Sequence, residues 1–393
     1  MSQLPNINLT GSQQEAVEKI ALWYKFWGNT KNHNQVFYLS GFAGTGKSTI
    51  VPFIIDAIGI EYSDCCFATY TGKAALVLKN KIGRKVSTIH SLCYKLVDDY
   101  QDKETQKVHM TWTIRDDSPV KESKLLILDE VSMVSKSMME DLLKFNVKVL
   151  VLGDPFQLPP VDGDAYFHQN YQPDFMLTEI HRQALENPII YLSKQVRECK
   201  DIDFGAYGDN VIKMHYHDVP EDYWRQADQV IVGTNKMRRT LNGWFRDLYG
   251  YTKLNSKFPV PGDKLICLKN RWEDGLVNGM LLTANSKARV ATDRESFILD
   301  FTSDEGVDFT GIKCSSSEVL GGIKLRMPYY EQKKMLNVDY GNAITCHKSQ
   351  GSQYNDVIFV DEGFGRWMDD NTYYRHLYTA ITRTVNNLVI AEQ

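Results

Sequence analysis

The feature that most constrains this chain of 393 residues is a glycine-rich segment near its start, residues 39–49. The fixed positions of the phosphate-binding pattern G-x-x-x-x-G-K-[ST] are filled by Gly41, Gly46, Lys47 and Ser48. The apolar run 36–39 before it predicts a buried strand, and 48–58 after it predicts a helix. Glycines let backbone N–H groups turn toward phosphate oxygens, and a helix N-terminus adds partial positive charge. The segment therefore predicts a nucleoside triphosphate site.

Each residue of this loop has an expected role in holding the nucleotide. Lys47 is expected to reach the β- and γ-phosphates, and the Ser48 hydroxyl is the expected Mg²⁺ ligand. The residues expected to line the nucleotide are Gly41, Phe42, Ala43, Gly44, Thr45, Gly46, Lys47, Ser48 and Thr49. Upstream, Gln13 is either the capping-box partner of Thr10 at a helix start or an amide that reads an adenine edge. The two interpretations are compatible, and both stay open.

Two carboxylates follow the apolar run 125–128, namely Asp129 and Glu130. At the end of a buried strand, Asp129 is expected to hold the Mg²⁺ shell, and Glu130 to orient or deprotonate the attacking water. Another buried strand, 149–154, leads into a proline-stiffened loop whose Gln157 is placed to sense the γ-phosphate. Strands at this spacing predict a doubly wound α/β domain that binds its ligand at the strands' carboxyl ends.

The second half of the chain returns to alternating strands and helices. Apolar runs at 229–232 and 357–360 predict buried strands, and 373–382 predicts a helix. Between them, 251–334 is rich in glycine and short β-runs, which predicts a small inserted β-barrel. The predicted domains are 1–178 for the first, with an inserted hairpin at 95–121, then 179–250 together with 335–393 for the second, and 251–334 for the barrel.

Local charge, rather than overall charge, points to nucleic acid. The net charge is only −4, so a nucleic-acid partner must be held by local patches. Residues 72–97 carry six lysines and arginines and no acid, which favours contact with a phosphate backbone over an ordinary surface. The segment 98–121 alternates apolar and polar residues and predicts a β-hairpin. His90 and Trp112 in these segments are suited to stacking on bases, and equally suited to structural packing.

The composition is that of an ordinary globular protein, with 43 % apolar and 24 % charged residues. Seven cysteines without a C-x-x-C pair favour reduced thiols in a cytosol. Residues 1–14 lack the basic-then-apolar pattern of a secretory signal, and no apolar run approaches the ~20 residues that span a bilayer. We therefore expect a soluble, cytoplasmic protein without a membrane partner.

An ordered set of segments resembles a known family. The segments are Gln13, 41–48, Asp129 and Glu130, 153–157, Arg182, Thr345 to Gly351, and Tyr378 to Arg383. Together they resemble the superfamily 1 helicases of the RecD-like group, and most closely the phage Dda helicase and its relatives. The resemblance covers nearly the whole chain and is weakest in 98–121 and 201–334.

The resemblance implies an α/β fold with two RecA-like parallel-sheet domains in tandem, and with ATP and Mg²⁺ in the cleft between them. It also implies single-stranded DNA running across both domains, a β-hairpin wedge in the first, a small β-barrel in the second, and movement from 5′ to 3′. The expected catalytic residues are Lys47, Asp129, Glu130, Gln157, and the arginine fingers Arg182 and Arg383. Gln350 and Gly351 are expected beside the nucleotide. The residues expected along the nucleic acid are Thr71, Lys73, His90, Trp112, Asn235, Thr345, His347 and Lys348.

The function predicted from these features is an ATP-dependent DNA helicase that unwinds duplex by closing and opening its cleft. One alternative is a nucleotide-gated switch that binds nucleic acid without translocating, which would not need Arg383 or the segment 347–351. Another is a small-molecule phosphotransferase, which nothing after residue 229 supports. The expected partners are single-stranded DNA and duplex junctions. We expect a monomer that serves replication, repair or recombination in a bacterial or phage-infected cell, with replication or single-strand-binding proteins as candidate partners.

Overall fold

The computed structural model describes residues 8–26, 34–102, 108–160, 164–167, 171–179, 187–254, 257–271, 274–363 and 368–393. The strands, in chain order, are β1 (Val36–Gly41), β2 (Cys65–Thr69), β3 (Ser87–Thr88), β4 (Tyr94–Gln101), β5 (Val108–Ile114), β6 (Leu125–Asp129), β7 (Lys148–Gly153), β8 (Phe175–Leu177), β9 (Gly205–Tyr207), β10 (Val211–His215), β11 (Gln229–Val232), β12 (Lys264–Cys267), β13 (Leu281–Ala284), β14 (Arg289–Val290), β15 (Ser296–Ser303), β16 (Asp308–Ser315), β17 (Leu336–Tyr340), β18 (Ala343–Thr345), β19 (Tyr354–Asp361) and β20 (Thr384–Glu392).

The α-helices within the described residues are α1 (Gly11–Phe26), α2 (Val51–Ile58), α3 (Gly72–Ile82), α4 (Ile89–Cys93), α5 (Lys136–Leu143), α6 (Pro188–Arg197), α7 (Glu221–Gln226), α8 (Asn235–Leu248), α9 (Tyr329–Gln332), α10 (Cys346–Ser349) and α11 (Asp370–Ile381). In the part of the chain that the structure describes, no helix combines the length and the apolar character needed to cross a membrane.

The first sheet has six strands in the order β3-β2-β6-β7-β1-β8, and every pairing in it is parallel. Its central strands are buried on both faces, since α1 and α2 pack on the side of Leu39 while α4 and α5 pack on the side of Tyr38. Burial on both faces explains why these strands are continuous apolar runs rather than alternating ones. The parallel order brings the carboxyl ends of β1, β6 and β7 to one edge of the sheet.

The second sheet also has six strands, in the order β18-β11-β19-β20-β10-β9. All pairings are parallel except that of the edge strand β9 with β10. Helices α6 and α11 pack on one face of this sheet, and α7 and α8 on the other. Leu158, from the loop after β7, is buried in the core between α6, α11 and this second sheet. The two sheets therefore meet at that loop.

A β-barrel lies in the chain between α8 and β18. Strands β13-β12-β17-β16-β15 follow one another around it, and a further pairing of β13 with β15 closes the ring. Phe297, Phe301 and Leu336 fill its core. Arg246 of α8 anchors the barrel, because its Nε donates to Oδ1 of the buried Asp263 at 3.0 Å. The predicted fold class, parallel α/β sheets with an inserted hairpin and a small barrel, is confirmed; the residue boundaries of the domains stay a prediction.

Strands β4 and β5 form the hairpin predicted from the sequence. The hairpin contacts the segment that follows the barrel strand β16. Asp99 Oδ1 accepts from Lys333 Nζ at 2.6 Å, and Asp99 Oδ2 accepts from the Tyr329 hydroxyl at 2.9 Å. The hairpin thus joins the two halves of the chain at a second place, separate from the loop after β7.

Candidate nucleotide site and nucleic-acid path

The phosphate-binding loop begins where β1 ends at Gly41. Gly44 and Gly46 have φ of 80° and 79°, in the left-handed region that side chains disfavour. A Cβ on Gly41 would lie 2.6 Å from Thr45 Oγ1, so the loop also needs glycine for space. Lys47 Nζ donates to the carbonyl oxygen of Gly41 at 2.6 Å and to that of the next residue at 3.1 Å, which holds the ammonium at the mouth of the loop.

Ser48 and Asp129 lie together as the sequence predicts. Ser48 Oγ donates to Asp129 Oδ2 at 2.9 Å. Burial raises the pKa of Asp129, the charge of Glu130 raises it further, and the Ser48 hydrogen bond opposes both. Two adjacent oxygen ligands suit Mg²⁺, which takes only one or two protein ligands when phosphates supply others. Within the described ranges no group of three or more His, Cys, Asp or Glu side chains forms a metal site of its own. The pair therefore fits a magnesium ion shared with a nucleotide.

Glu130 lies next to this pair, with a left-handed backbone at φ 54°. Such strain in a residue other than glycine is characteristic of functional sites. Its carboxylate accepts a hydrogen bond from Gln157 when the Gln157 amide is oriented so that its nitrogen faces Glu130 and its oxygen faces Arg383. In that orientation the amide nitrogen donates to Glu130 Oε2 at 3.1 Å, and the amide oxygen accepts from Arg383 Nη2 at 3.2 Å. One amide thus links a carboxylate beside the first sheet to a guanidinium beside the second.

Arg383 is only 4 % exposed and is held in place by the second half of the chain. Its Nε donates to Thr379 O at 3.2 Å, and its Nη1 donates to Ser352 O at 3.3 Å. These bonds aim the guanidinium at the loop after β7. Arg182, the other predicted arginine finger, lies outside the described residues.

Helix α11 forms hydrogen bonds with the nucleotide loop and with the loop after β7. The side chains that form them had no role assigned from the sequence. The Tyr378 hydroxyl donates to Asp154 Oδ2 at 2.6 Å and accepts from the Ala43 N–H at 3.0 Å. One turn earlier, Arg375 Nη1 donates to Pro155 O at 2.8 Å. These helix residues are spaced by three, which predicts one shared face, but only the tertiary structure shows what that face contacts.

A further cation missed by sequence reasoning contacts the loop. The guanidinium of Arg197, at the end of α6, lies 3.5 Å from the centre of the Phe42 ring. No motif pointed to this arginine, because its position depends on the packing of α6 beside the loop.

Gln13 makes the capping-box contact that one of its two interpretations predicts, and the adenine contact stays a prediction. Its Oε1 accepts from the Thr10 N–H at 3.0 Å, as in a capping box. Its Nε2 donates to the Thr45 carbonyl at 3.0 Å, so the side chain also contacts the nucleotide loop. From the second half of the chain, Gln350 Nε2 donates to Leu158 O at 2.9 Å. Gly351 packs so tightly that a Cβ there would lie 2.6 Å from the Cβ of Ala74, at the start of α3.

The residues predicted along the nucleic acid fall into separate groups. Thr71 caps α3, its Oγ1 accepting from Ala74 N–H at 3.2 Å, and Asn235 Oδ1 accepts from Arg238 Nε at 3.2 Å. Lys73 forms an ion pair with Asp304 of the barrel region, so its ammonium is already engaged.

The remaining candidates lie in or next to α10 and in or next to the hairpin. Thr345 is buried and Lys348 is exposed, and the His347 ring lies 5.4 Å from that of His376. Beside the hairpin, the Trp112 ring meets the His90 ring edge-on, with centres 5.6 Å apart, and is 41 % exposed. These two rings help line a cavity of about 400 Å³.

Comparison with known proteins adds three kinds of match. A family described as "AAA domain" matches residues 8–212, just over half of the chain, and one described as "UvrD-like helicase C-terminal domain" matches residues 340–391. The ATP-dependent RecD2 DNA helicase of Deinococcus radiodurans is 27 % identical over 381 residues, which cover 89 % of this chain and 46 % of RecD2.

The ATP-dependent DNA helicase Dda of Enterobacteria phage T4 is 30 % identical over 173 residues, which cover 41 % of this chain and 38 % of Dda. The aligned part therefore spans less than half the length of either curated relative. Among solved structures, Pif1 helicase from Bacteroides in complex with ADP-AlF3 and ssDNA superposes with a TM-score of 0.51 at 20 % identity, covering 98 % of this chain and 92 % of that one.

Proposed function

The chain belongs to the superfamily 1 helicases, in the group that includes the RecD-like, Pif1-like and Dda helicases, and we propose that it is an ATP-dependent DNA helicase. The observation that carries the proposal is the line from Glu130 through Gln157 to Arg383. A catalytic site built from both halves of a chain is complete only while the two halves are in contact. A motor needs its hydrolysis to depend on that contact.

Hydrolysis follows from the chemistry of these side chains. Lys47 and the loop amides bind the phosphates, and Glu130 orients or deprotonates the attacking water. Gln157, which is hydrogen-bonded to Glu130, senses the γ-phosphate. Ser48 and Asp129 would hold Mg²⁺, which supplies charge neutralisation at the phosphates. Arg383 stabilises charge that develops on the γ-phosphoryl group, an effect worth about 10³–10⁵ in rate for an arginine finger. Arg182 is proposed as a second finger by its place in the motif order, and Gln13 as the adenine contact.

Movement follows from the same dependence. The Arg383 and Gln350 contacts hold the cleft closed while the γ-phosphate is present, and its loss releases them. If each RecA-like domain grips DNA in turn, one cycle of closure and opening becomes one step. We propose 5′ to 3′ movement, with the hairpin at 95–121 as the wedge that parts the duplex.

The proposed DNA path uses residues from both domains. Lys348 is an exposed cation within α10, so it suits a phosphate contact. The half-exposed Trp112 beside His90 suits stacking on a base. Thr71, Lys73, Asn235, Thr345 and His347 complete the proposed path. The Lys73 contact requires exchange of its Asp304 partner for a phosphate.

The Pif1 structure named above contains ssDNA, and the RecD2 and Dda relatives are DNA helicases by name, which supports single-stranded DNA and duplex junctions as partners. We further propose that the protein acts in the cytoplasm as a monomer, with domains at 1–178, at 179–250 with 335–393, and at 251–334.

Strand separation on duplexes that carry either a 5′ or a 3′ single-stranded tail tests the proposal, with Lys47→Ala as the inactive control. We expect ATP-dependent unwinding of the 5′-tailed duplex only. Unwinding from the 3′ tail would refute the direction. ATP hydrolysis and DNA binding without any strand separation would instead indicate the nucleotide-gated switch.

A further inference from the structure

Tyr378 lies in the last turn of α11 and is fully buried, and its hydroxyl contacts residues of the first half of the chain. The hydroxyl donates to Asp154 Oδ2 at 2.6 Å, at the end of β7. The same oxygen accepts from the Ala43 N–H at 3.0 Å, in the phosphate-binding loop. A single atom from the second half of the chain therefore joins two separate segments of the first sheet's ligand-binding edge.

We propose that Tyr378 is a positioning residue that couples closure of the cleft to the shape of the phosphate-binding loop. The inference rests on the proposed function, since it concerns how that ATP site is switched on. When α11 moves away with the second half of the chain, both hydrogen bonds are lost together. The loop backbone at Ala43 then loses the contact that orients it, even though every residue of the loop is still present.

The Tyr378 contact is suited to this role because Asp154 is held in position by a further hydrogen bond. The other oxygen of Asp154 accepts from the Phe156 N–H at 3.0 Å, so the carboxylate is fixed before Tyr378 arrives. Asp154 is 3 % exposed, which makes a second bond to its buried charge strong. The Tyr378 ring packs edge-on against Phe156, with centres 5.2 Å apart, so removal of the hydroxyl alone leaves the ring in place.

The same helix offers a matched control. The Tyr373 hydroxyl donates to Asp361 Oδ2 at 2.8 Å, which is also a tyrosine bonded to a buried strand-end carboxylate. Asp361 ends β19 of the second sheet, so this bond stays within one half of the chain. Tyr378→Phe and Tyr373→Phe therefore remove the same chemical group from one helix, and only the first removal cuts a contact across the cleft.

The first measurement is steady-state ATP hydrolysis with and without a single-stranded oligonucleotide. We expect Tyr378→Phe to lower the DNA-stimulated kcat by about 10-fold or more, because a hydrogen bond to a charged group is lost, with KM for ATP changed by less than about 3-fold. Asp154→Asn, which weakens the same bond and keeps the tyrosine, should lower kcat in the same direction. Tyr373→Phe should stay within about 2-fold of the parent chain.

The second measurement is amide hydrogen exchange of the peptide that covers 41–49, read by mass spectrometry. We expect faster exchange in Tyr378→Phe and unchanged exchange in Tyr373→Phe. An unchanged kcat, a loss that appears only as a raised KM, or equal exchange in the two variants would overturn the inference. Because exchange needs no DNA, it tests Tyr378 even if the parent chain proves not to unwind duplexes, a result that would refute only the proposed function.

Discussion

Replacing Arg383 by alanine is the most direct test of a site that is shared between the two halves of the chain. The guanidinium is anchored by the carbonyl oxygens of Thr379 and Ser352, and it reaches Glu130 only through the amide of Gln157. Arg383→Ala removes the cation and leaves that amide oxygen without its donor. The nucleotide loop is untouched, so nucleotide binding should persist.

The magnitude has two parts. Loss of an arginine finger lowers the hydrolysis rate by about 10³-fold or more, equivalent to about 4 kcal/mol in the barrier. Loss of the hydrogen bonds that anchor the guanidinium, to Thr379 O, Ser352 O and Thr382 Oγ1, costs about 1–3 kcal/mol of folding stability. Arg383→Lys keeps the charge and loses the planar fork, so it should recover little of the rate.

The assay is DNA-stimulated ATP hydrolysis at saturating ATP, together with binding of a fluorescent ATP analogue and a thermal melt. Arg375→Ala is the matched control, since Arg375 lies on the same helix and also donates across the cleft, to the backbone oxygens of Pro155 and Gln157. We expect this control to lose less than about 10-fold, because Arg375 donates to backbone oxygens and not to the Gln157 amide that contacts Glu130. The reasoning is refuted if Arg383→Ala keeps more than a tenth of the parent kcat, or if Arg375→Ala loses as much.

Three further outcomes follow from particular contacts. Gly351→Ala should lower the melting temperature more than Gly250→Ala does. Both glycines have a left-handed φ, at 76° and 75°, but only at Gly351 would the new Cβ overlap a neighbour. Equal losses would contradict the close packing of Gly351 on α3. Burial lowers the pKa of His376 to about 4. Below about pH 6.5 the unfolded chain therefore takes up a proton on this side chain, while the folded chain does not. The free energy of unfolding should fall by up to about 2 kcal/mol between pH 7 and pH 5. Urea unfolding at the two pH values should show a smaller loss for His376→Gln, and an identical loss would assign the pH dependence to other groups. Asp99→Asn should change the free energy of unfolding by less than about 1 kcal/mol, since its Lys333 partner is partly exposed. If the hairpin is the wedge, the same variant should separate strands more slowly while its rate of ATP hydrolysis is unchanged. Asp98→Asn on the same strand is the control, and equal slowing by both variants would argue against the anchoring contact.

The sequence by itself determined those parts of the protein whose conformation depends on neighbouring residues, namely the phosphate-binding loop and the buried strands. The phosphate-binding loop is readable because Gly44 and Gly46 adopt backbone angles that other residues resist. The parallel sheets are readable because strands buried on both faces must be apolar throughout, as in 125–128. Asp129 and Ser48 could be paired in advance, since strand ends and loop share one edge of such a sheet. The hairpin was also predictable from its alternating residues, and the barrel from its glycines and short β-runs.

Only the tertiary structure decided which distant groups meet. The bridge from Glu130 through Gln157 to Arg383 depends on how the second sheet docks on the first, and no local pattern carries that information. Lys73 looked like a free cation in a basic segment, but folding places Asp304 of the barrel region beside it. Tyr378 was placed by the sequence in a helical segment of the resemblance without a role of its own, and packing brings its hydroxyl to the Ala43 N–H. Residues far apart in the chain meet because burial of each sheet selects one arrangement of the whole, so their contacts follow from the global packing rather than from their neighbours in sequence.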